Sequence, residues 1–323
     1  MTDSQDASSP LPVVEVSGLK KSYGTVEALR GIDFSISSGA VVGFLGPNGA
    51  GKSTAIKILT GFLAADEGSA RICGLDVEAD PLEVKRRVGY LPENNPLYLD
   101  MRVTDYLDFA WRARGGEGSA KQALNRVVVQ TGLQEVFGRF LGECSKGFRQ
   151  RAGIAQALLH DPELLILDEP TNGLDPIQVV EIRKLILELG KTKTVLLTTH
   201  VLPEVEALAE QVVLIHDGQK VADGPLNSIK GGDGSLEVHV GIRGTQEELK
   251  KLVEAVGATW TSARPRPFSD ADCSACSVEV GNPLGVEELS AQAASMGVPI
   301  VELTPQGGSL EALFRRLSQE LKP

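Results

Sequence analysis

Residues Gly46 to Thr54 read GPNGAGKST, and no other stretch restricts the fold as tightly. Ahead of it, Val41-Val42-Gly43-Phe44-Leu45 is a short apolar run of the length of a buried strand. Behind it, Ala55, Ile56, Ile58 and Leu59 recur at helical spacing. Strand, glycine-rich loop and helix, in that order, place a helix N-terminus where an anion is favoured. The segment fits GxxxxGK[ST], with Gly46, Gly51, Lys52 and Ser53 in the fixed places. Gly46, Gly49 and Gly51 let the backbone turn tightly and aim its N–H groups inward. Lys52 adds a mobile positive charge, and the Ser53 hydroxyl is a hard oxygen of the kind Mg²⁺ takes. The expectation is that Gly46, Pro47, Asn48, Gly49, Ala50, Gly51, Lys52, Ser53 and Thr54 wrap the phosphates of a nucleotide.

The rest of the chain reads as α/β. Val13 to Gly43 alternates apolar and polar residues between turn signals, as a strand-rich lobe would, and Gly68 to Gly74 suits another short strand. From about Leu97 to His160 the pattern is mostly helical. Leu164–Leu167 and Thr194–Leu197 are apolar runs suited to buried parallel strands, with helical periodicity over Ile177–Leu189 between them, which makes a βαβ unit. Gln211 to Ala222 reads as a hairpin about Asp217-Gly218. Gly231 to Ser235 is a linker by composition. Beyond it, strands are expected at 236–242, 277–280 and 298–303 and helices at 246–256, 286–296 and 309–321, a small α+β unit. The domains expected are therefore a tail over 1–12, a nucleotide domain over 13–230 with a helical subdomain at about 97–160, a linker at 231–235 and an accessory domain over 236–323.

The chain has 323 residues, room for about two domains with cores of their own. A net charge of -11 argues against a main role in binding nucleic-acid backbone. No apolar run has the roughly 18 to 20 residues that cross a bilayer. The polar start, MTDSQDASSP, lacks the pattern of a signal peptide, so the expectation is a soluble, cytoplasmic protein. Cys273 and Cys276 form a CxxC with no second pair or nearby His to complete a zinc set, and read as structural.

A phosphate loop alone admits ATPases, GTPases, kinases and recombinases. Leu164-Leu-Ile-Leu-Asp-Glu169 narrows the choice: an apolar strand ends in two carboxylates. Asp168 would support Mg²⁺ at the strand's C-terminal edge, and Glu169 is placed to polarise an attacking water. There is no NKxD-type guanine-reading motif.

With these residues in order, residues 13 to 225 closely resemble the ATP-binding subunit of an ABC transporter. The resemblance implies a P-loop ATPase with a RecA-like core, an antiparallel β lobe and a helical subdomain, joined here to the small C-terminal α+β domain. It implies that Tyr23, in KSYG, stacks on adenine, that Gly46–Thr54 is Walker A, and that Leu164–Glu169 is Walker B. Gly173-Leu174-Asp175 resembles the D-loop. His200, after Thr198-Thr199, resembles the switch histidine that contacts the γ-phosphate. Two motifs depart from the family's form. Cys144-Ser145-Lys146-Gly147-Phe148 replaces the usual LSGGQ, yet keeps Ser145 and Gly147. The resemblance implies that Ser145, Lys146, Gly147 and Phe148, at a helix N-terminus, meet the γ-phosphate held by an opposite subunit. Glu93, in GYLPENNPLY, replaces the common Gln of the Q-loop and remains able to ligate Mg²⁺ or water. It resembles exporter subunits of the gliding-motility and copper-enzyme-maturation kind, as does the SLEALF pattern at Ser309–Phe314.

The cofactors so implied are ATP and Mg²⁺. The partners are a second copy of the chain and an integral membrane permease, with Leu97, Tyr98, Leu99 and Met101 as candidate permease contacts or, equally, subdomain core. No nucleic acid is expected. The alternative is a soluble ABC-type ATPase of DNA repair or translation. Against it, no heptad stretch lies between Thr54 and Leu164, and the chain carries one cassette rather than two.

Overall fold

The computed structural model describes residues 12–230, 236–264, 272–280, 285–306 and residue 310. The expected tail (apart from Pro12), the linker at 231–235 and the closing helix at 309–321 (apart from Leu310) lie outside the described residues. The chain divides into two compact units, Met1–Pro225 and Leu226–Pro323. The break thus falls a few residues ahead of the 230 boundary read from the linker composition.

In the first unit, β1 (Val14–Tyr23) and β2 (Val26–Ile36) form an antiparallel hairpin, and β3 (Val41–Leu45) enters a different sheet before the glycine loop. Helix α1 (Lys52–Leu59) follows the loop. β4 (Glu67–Ile72) returns to pair antiparallel with β1, and β5 (Leu75–Asp76) pairs with β4. α2 (Pro81–Arg87) opens on a proline in its first turn and leads into β6 (Val88–Leu91). The helical stretch is α3 (Val103–Ala113), α4 (Ala120–Thr131) and α5 (Lys146–Leu158). α4 is bounded by a Ser119 cap, whose hydroxyl accepts from the Gln122 amide, and by Gly132 at φ 67. Then come β7 (Leu164–Asp168), α6 (Pro176–Gly190), β8 (Thr194–Thr199), α7 (Leu202–Leu208), β9 (Gln211–His216) and β10 (Gln219–Pro225). The β9–β10 turn has positive φ at both Asp217 (47) and Gly218 (75), which suits a tight two-residue hairpin.

Two sheets result. One is antiparallel, ordered β2-β1-β4-β5. The other runs β10-β9-β3-β8-β7-β6, parallel from β9 to β6 with β10 as an antiparallel edge. Every residue of β3, β7 and β8 is buried, as near-continuous apolar strands require. One core joins the two sheets: Val14, Ile32 and Ile36 of the antiparallel lobe pack with Phe44, Ile56 and Leu59 around the loop. β6 has no strand signature of its own in the sequence. Its four residues are too few for a period, and only pairing with β7 defines it.

The second unit begins with α8 (Leu226–Lys230) and continues β11 (Leu236–Arg243), α9 (Gln246–Ala255), β12 (Thr259–Ala263), β13 (Cys273–Val280), α10 (Gly285–Ser295) and β14 (Ile300–Gln306). β11 to β14 form an antiparallel sheet ordered β12-β13-β11-β14, a split βαβ arrangement. Its core holds Val238, Val240, Leu249, Leu252, Val278 and Leu289. α9 carries a complete capping box between Thr245 and Glu248. β12 was missed because only Trp260 among its five residues is a large apolar side chain. Cys273 and Cys276 lie three apart on β13, so they point to opposite faces. Both are free thiols, and burial pushes Cys276 up to about 12.

One half-buried histidine ties the helical region to the sheet. The His160 Nε2 lies 3.0 Å from the Val88 carbonyl oxygen and donates to it, which leaves Nδ1 to accept from the Arg114 guanidinium 3.1 Å away. Burial, and then the Arg114 charge, hold its pKa down at about 4, below an ordinary 6.5. The folded state therefore favours the neutral ring. Its contribution is complete above about pH 6.5 and is lost as pH falls through about 4, by on the order of 2 kcal/mol after allowance for partial exposure. Denaturant unfolding at pH 8 and at about pH 4.5 should show the stability advantage of wild type over His160→Gln shrinking in acid. An advantage independent of pH would remove His160 from the acid response.

Candidate active site

The glycine loop joins the C-terminal end of β3 to the first turn of α1. Two of its glycines have separate reasons. Gly51 has φ 104, and a Cβ there would fall on the Ala28 carbonyl oxygen. Gly46 has an ordinary φ, but a Cβ would strike the Ile215 carbonyl oxygen of β9. The hairpin tip also holds the loop from behind, because the Gly218 amide donates to the Ala50 oxygen at 3.1 Å. The first-turn amides of α1 have no intrahelical acceptors and stay available to an anion. Lys52 curls over the loop: its Nζ donates to the Gly46 oxygen at 2.7 Å and to the Pro47 oxygen at 3.2 Å. Burial lowers its pKa, against the opposing pull of Glu169, Asp168 and Glu93. Ser53 is exposed on the first turn and Thr54 half-buried.

β7 delivers the two acids. Asp168 is buried at the strand's end and accepts from the Thr198 hydroxyl of β8. Burial raises its pKa above the ordinary value, Thr198 opposes this, and Glu93 raises it further. At Glu169 the backbone turns left-handed, at φ 48, a conformation uncommon outside glycine. Its amide is tied to the Thr198 carbonyl at 3.1 Å and to the Thr198 hydroxyl at 3.2 Å. Thr198 therefore orients both acids. The Glu169 Oε1 lies 2.9 Å from the His200 Nδ1. A carboxylate only accepts, so Nδ1 carries the proton. Glu93, exposed on the loop after β6, accepts from the Asn172 amide at 3.3 Å. Sequence reading named the Thr198 segment without its bridging contact, and it missed Asn172. Nothing local in either residue signals a partner about thirty or eighty positions away.

The structure thus brings Lys52, Glu93, Asp168, Glu169 and His200 together. It sets two groups apart from them. Tyr23, at the end of β1, is half exposed. Ser145 caps α5, accepting from the Phe148 amide at 3.3 Å. Ser145 and Lys146 are exposed, Phe148 is half-buried, and Gly147 is buried, with no room for a Cβ against the Gln178 side chain. Among the described residues no hydrogen bond or ion pair joins Ser145–Phe148 to Gly46–Thr54. One cleft is lined both by Lys146 and Arg149 of α5 and by Glu93, Glu169 and Asn172.

Three carboxylates around one lysine leave an excess of negative charge, and the oxygens of Ser53, Asp168 and Glu93 are hard donors. That set fits Mg²⁺, which is usually held by one or two protein oxygens together with substrate phosphates. Among the described residues no cluster of three His, Cys, Asp or Glu forms an all-protein metal cage.

Known proteins agree with this geometry. The family model for ABC transporter matches residues 29–172. The bacitracin transport ATP-binding protein BcrA of Bacillus licheniformis is 37% identical over 68% of this chain and 71% of its own length. The daunorubicin/doxorubicin resistance ATP-binding protein DrrA of Streptomyces peucetius is 32% identical over 96% of this chain and 93% of its own, so that likeness extends through the second unit. Among solved structures, the ATP-binding subunit of an ABC transporter superposes with a TM-score of 0.61 at 31% identity, over 68% of this chain and 92% of that one. The repair or translation alternative finds no support in these names. Phosphate loop, paired acids and relatives converge: the chain belongs to the ABC transporter family and is an ATP-binding, ATP-hydrolysing subunit of such a transporter.

Proposed function

We propose that two copies of the chain close head to tail on two ATP molecules and drive a separately encoded membrane permease. The observation that carries this reading is the division of the site. Lys52, Asp168, Glu169 and His200 converge, whereas Ser145–Phe148 stand on a separate helix N-terminus with no bond to the loop. One chain therefore presents half of each site, and Ser145, Lys146, Gly147 and Phe148 of a second copy complete it at the γ-phosphate. Two cassettes of the same fold are described as dimeric, which supports this reading.

Within the closed site, Tyr23 stacks on adenine, and the amides of Gly46 to Thr54 bind the phosphates. Lys52 leaves the Gly46 and Pro47 carbonyls to neutralise developing charge. Ser53, Asp168 and Glu93 hold Mg²⁺, whose charge offsets that of the phosphates. Glu169 takes a proton from the attacking water, and His200, fixed by its bond to Glu169, faces the γ-phosphate. Closure on ATP and reopening after hydrolysis give two states that move the coupling surface.

That surface is apolar. Tyr98 and Leu99 are each 53% exposed, and Phe109 beside them is 46% exposed. Tyr98 meets the Phe109 ring edge-on at 5.7 Å. The segment is anchored from below, because the Gly142 amide donates to the Leu99 oxygen at 2.8 Å. Of the four candidate contacts, Leu97 and Met101 are half-buried and serve as much for anchoring. No helix among the described residues is long and apolar enough to cross a membrane. The chain would then sit on the inner face of the membrane through its permease. The names of relatives, bacitracin transport, drug resistance and Nod factor export, favour export.

Co-expression with a candidate multi-span permease from the same genome tests this reading. The chain should pellet with membranes, and Leu99→Asp should release it to the soluble fraction without lowering its melting temperature. A wild-type chain that never co-purifies with a membrane protein would refute the docking.

A further inference from the structure

Glu204 lies in the first turn of α7 and is buried, although it touches neither the glycine loop nor Asp168. Its Oε2 accepts from the Thr171 hydroxyl at 2.5 Å and from the Thr199 hydroxyl at 3.4 Å. Its Oε1 lies 3.7 Å from the Arg183 guanidinium of α6, whose Nε is itself buried without a partner. A carboxylate so buried is costly unless hydrogen-bonded and paired, so these contacts hold it, and it holds them.

The three partners sit on three segments. Thr171 follows Glu169 by two residues. Thr199 precedes His200 by one, and its hydroxyl also accepts from the Val201 amide at 3.0 Å. Arg183 is on the helix that begins after the Gly173–Asp175 turn. One side chain therefore pins the turn after Glu169 to the segment that carries His200. The turn needs such a tie. Glu169 is left-handed, and a non-glycine residue persists there only where its surroundings over-determine it. Thr198 fixes the Glu169 amide, and Glu204 fixes the chain two residues on.

We propose that Glu204 is a positioning residue for hydrolysis. Through Thr171 and Thr199 it keeps Glu169 and His200 at hydrogen-bond distance, so that they move as one unit when the site closes. The proposal rests on the roles given above to Glu169 and His200. The consequence is kinetic, because a misplacement of about 1 Å can cost about 100-fold in rate.

The test is a double-mutant cycle on the purified full chain with Thr171→Val, Glu204→Gln and the pair. Valine copies the shape of threonine, which guards against misfolding. Thr171→Val should lower kcat by about tenfold with the KM for ATP within about twofold, and Glu204→Gln should do the same. The pair should cost clearly less than the roughly hundredfold product, because Glu204→Gln weakens the bond that Thr171→Val removes, along with the ties to Thr199 and Arg183. Loss of packing alone would instead lower melting temperatures and multiply in the pair. A wild-type kcat for Thr171→Val, a multiplicative pair, or a raised KM with kcat intact would each overturn the proposal. Glu169→Gln is assayed alongside. If it still turns over, the assignment of Glu169 fails and takes this proposal with it. If it is inactive while Thr171→Val runs at the wild-type rate, only the role of Glu204 fails.

Discussion

Glu169→Gln should all but abolish ATP turnover, by about 10² to 10⁴, while ATP still binds. The amide keeps the shape of the side chain and can still meet the His200 ring, but it cannot take a proton from water. The proposed nucleotide contacts are untouched, since Lys52 is on α1 and the loop amides lie between β3 and α1 rather than on β7. A bound ATP that is never cleaved should trap the closed state, so size-exclusion chromatography with ATP should show a dimer that the wild type forms only transiently. Binding of a fluorescent ATP analogue with unchanged affinity, beside a lost phosphate-release signal, is the expected pair of readings. Ordinary turnover by this variant would sink the assignment of Glu169 as general base. Its hydrogen bond to His200 would then be structural.

Mixing two inactive variants should restore activity if the site is shared. Lys52→Ala disables the loop of its own chain. Ser145→Arg disables only the surface that its chain offers to a partner. In a one-to-one mixture about half of the dimers pair one variant with the other, and each such dimer has one intact site of two. Recovered turnover should approach about a quarter of wild type if sites act independently. It should also rise with total protein concentration, as a dimer requires. Ser145 caps α5, so its loss costs about 1 kcal/mol of stability, and melting curves must confirm that the variant is folded. A mixture as inactive as its components, or activity from a species that stays monomeric, would count against two-copy closure.

Much of this was readable along the chain because it depends on short spacings. GPNGAGKST brings its glycines, lysine and serine within one turn of each other, so the order of residues already specifies a phosphate-sized concavity. The run Leu164 to Leu167 is apolar throughout, and β7 is buried throughout. Ser145, three residues before Phe148, is a cap that its own neighbours define. Where the spacing signal was thin, the reading failed. β6 has four residues, and β12 has a single large apolar side chain.

Other features have no local signature. Gly46 looked like a residue that turns the backbone. Its need is space, because β9 brings the Ile215 carbonyl against it from about 170 positions away. Thr198 serves both acids only because β8 lies beside β7 in a sheet whose order no short segment announces. Asn172 meets Glu93, and Glu204 meets Thr171, across gaps that sheet order and crossovers close. The nucleotide loop, the acids and the family could be named from residue order because covalent neighbours set backbone geometry over a few residues. The partners that aim those acids could not, since they are chosen by which strands lie adjacent, and burial and pairing over the whole unit settle that.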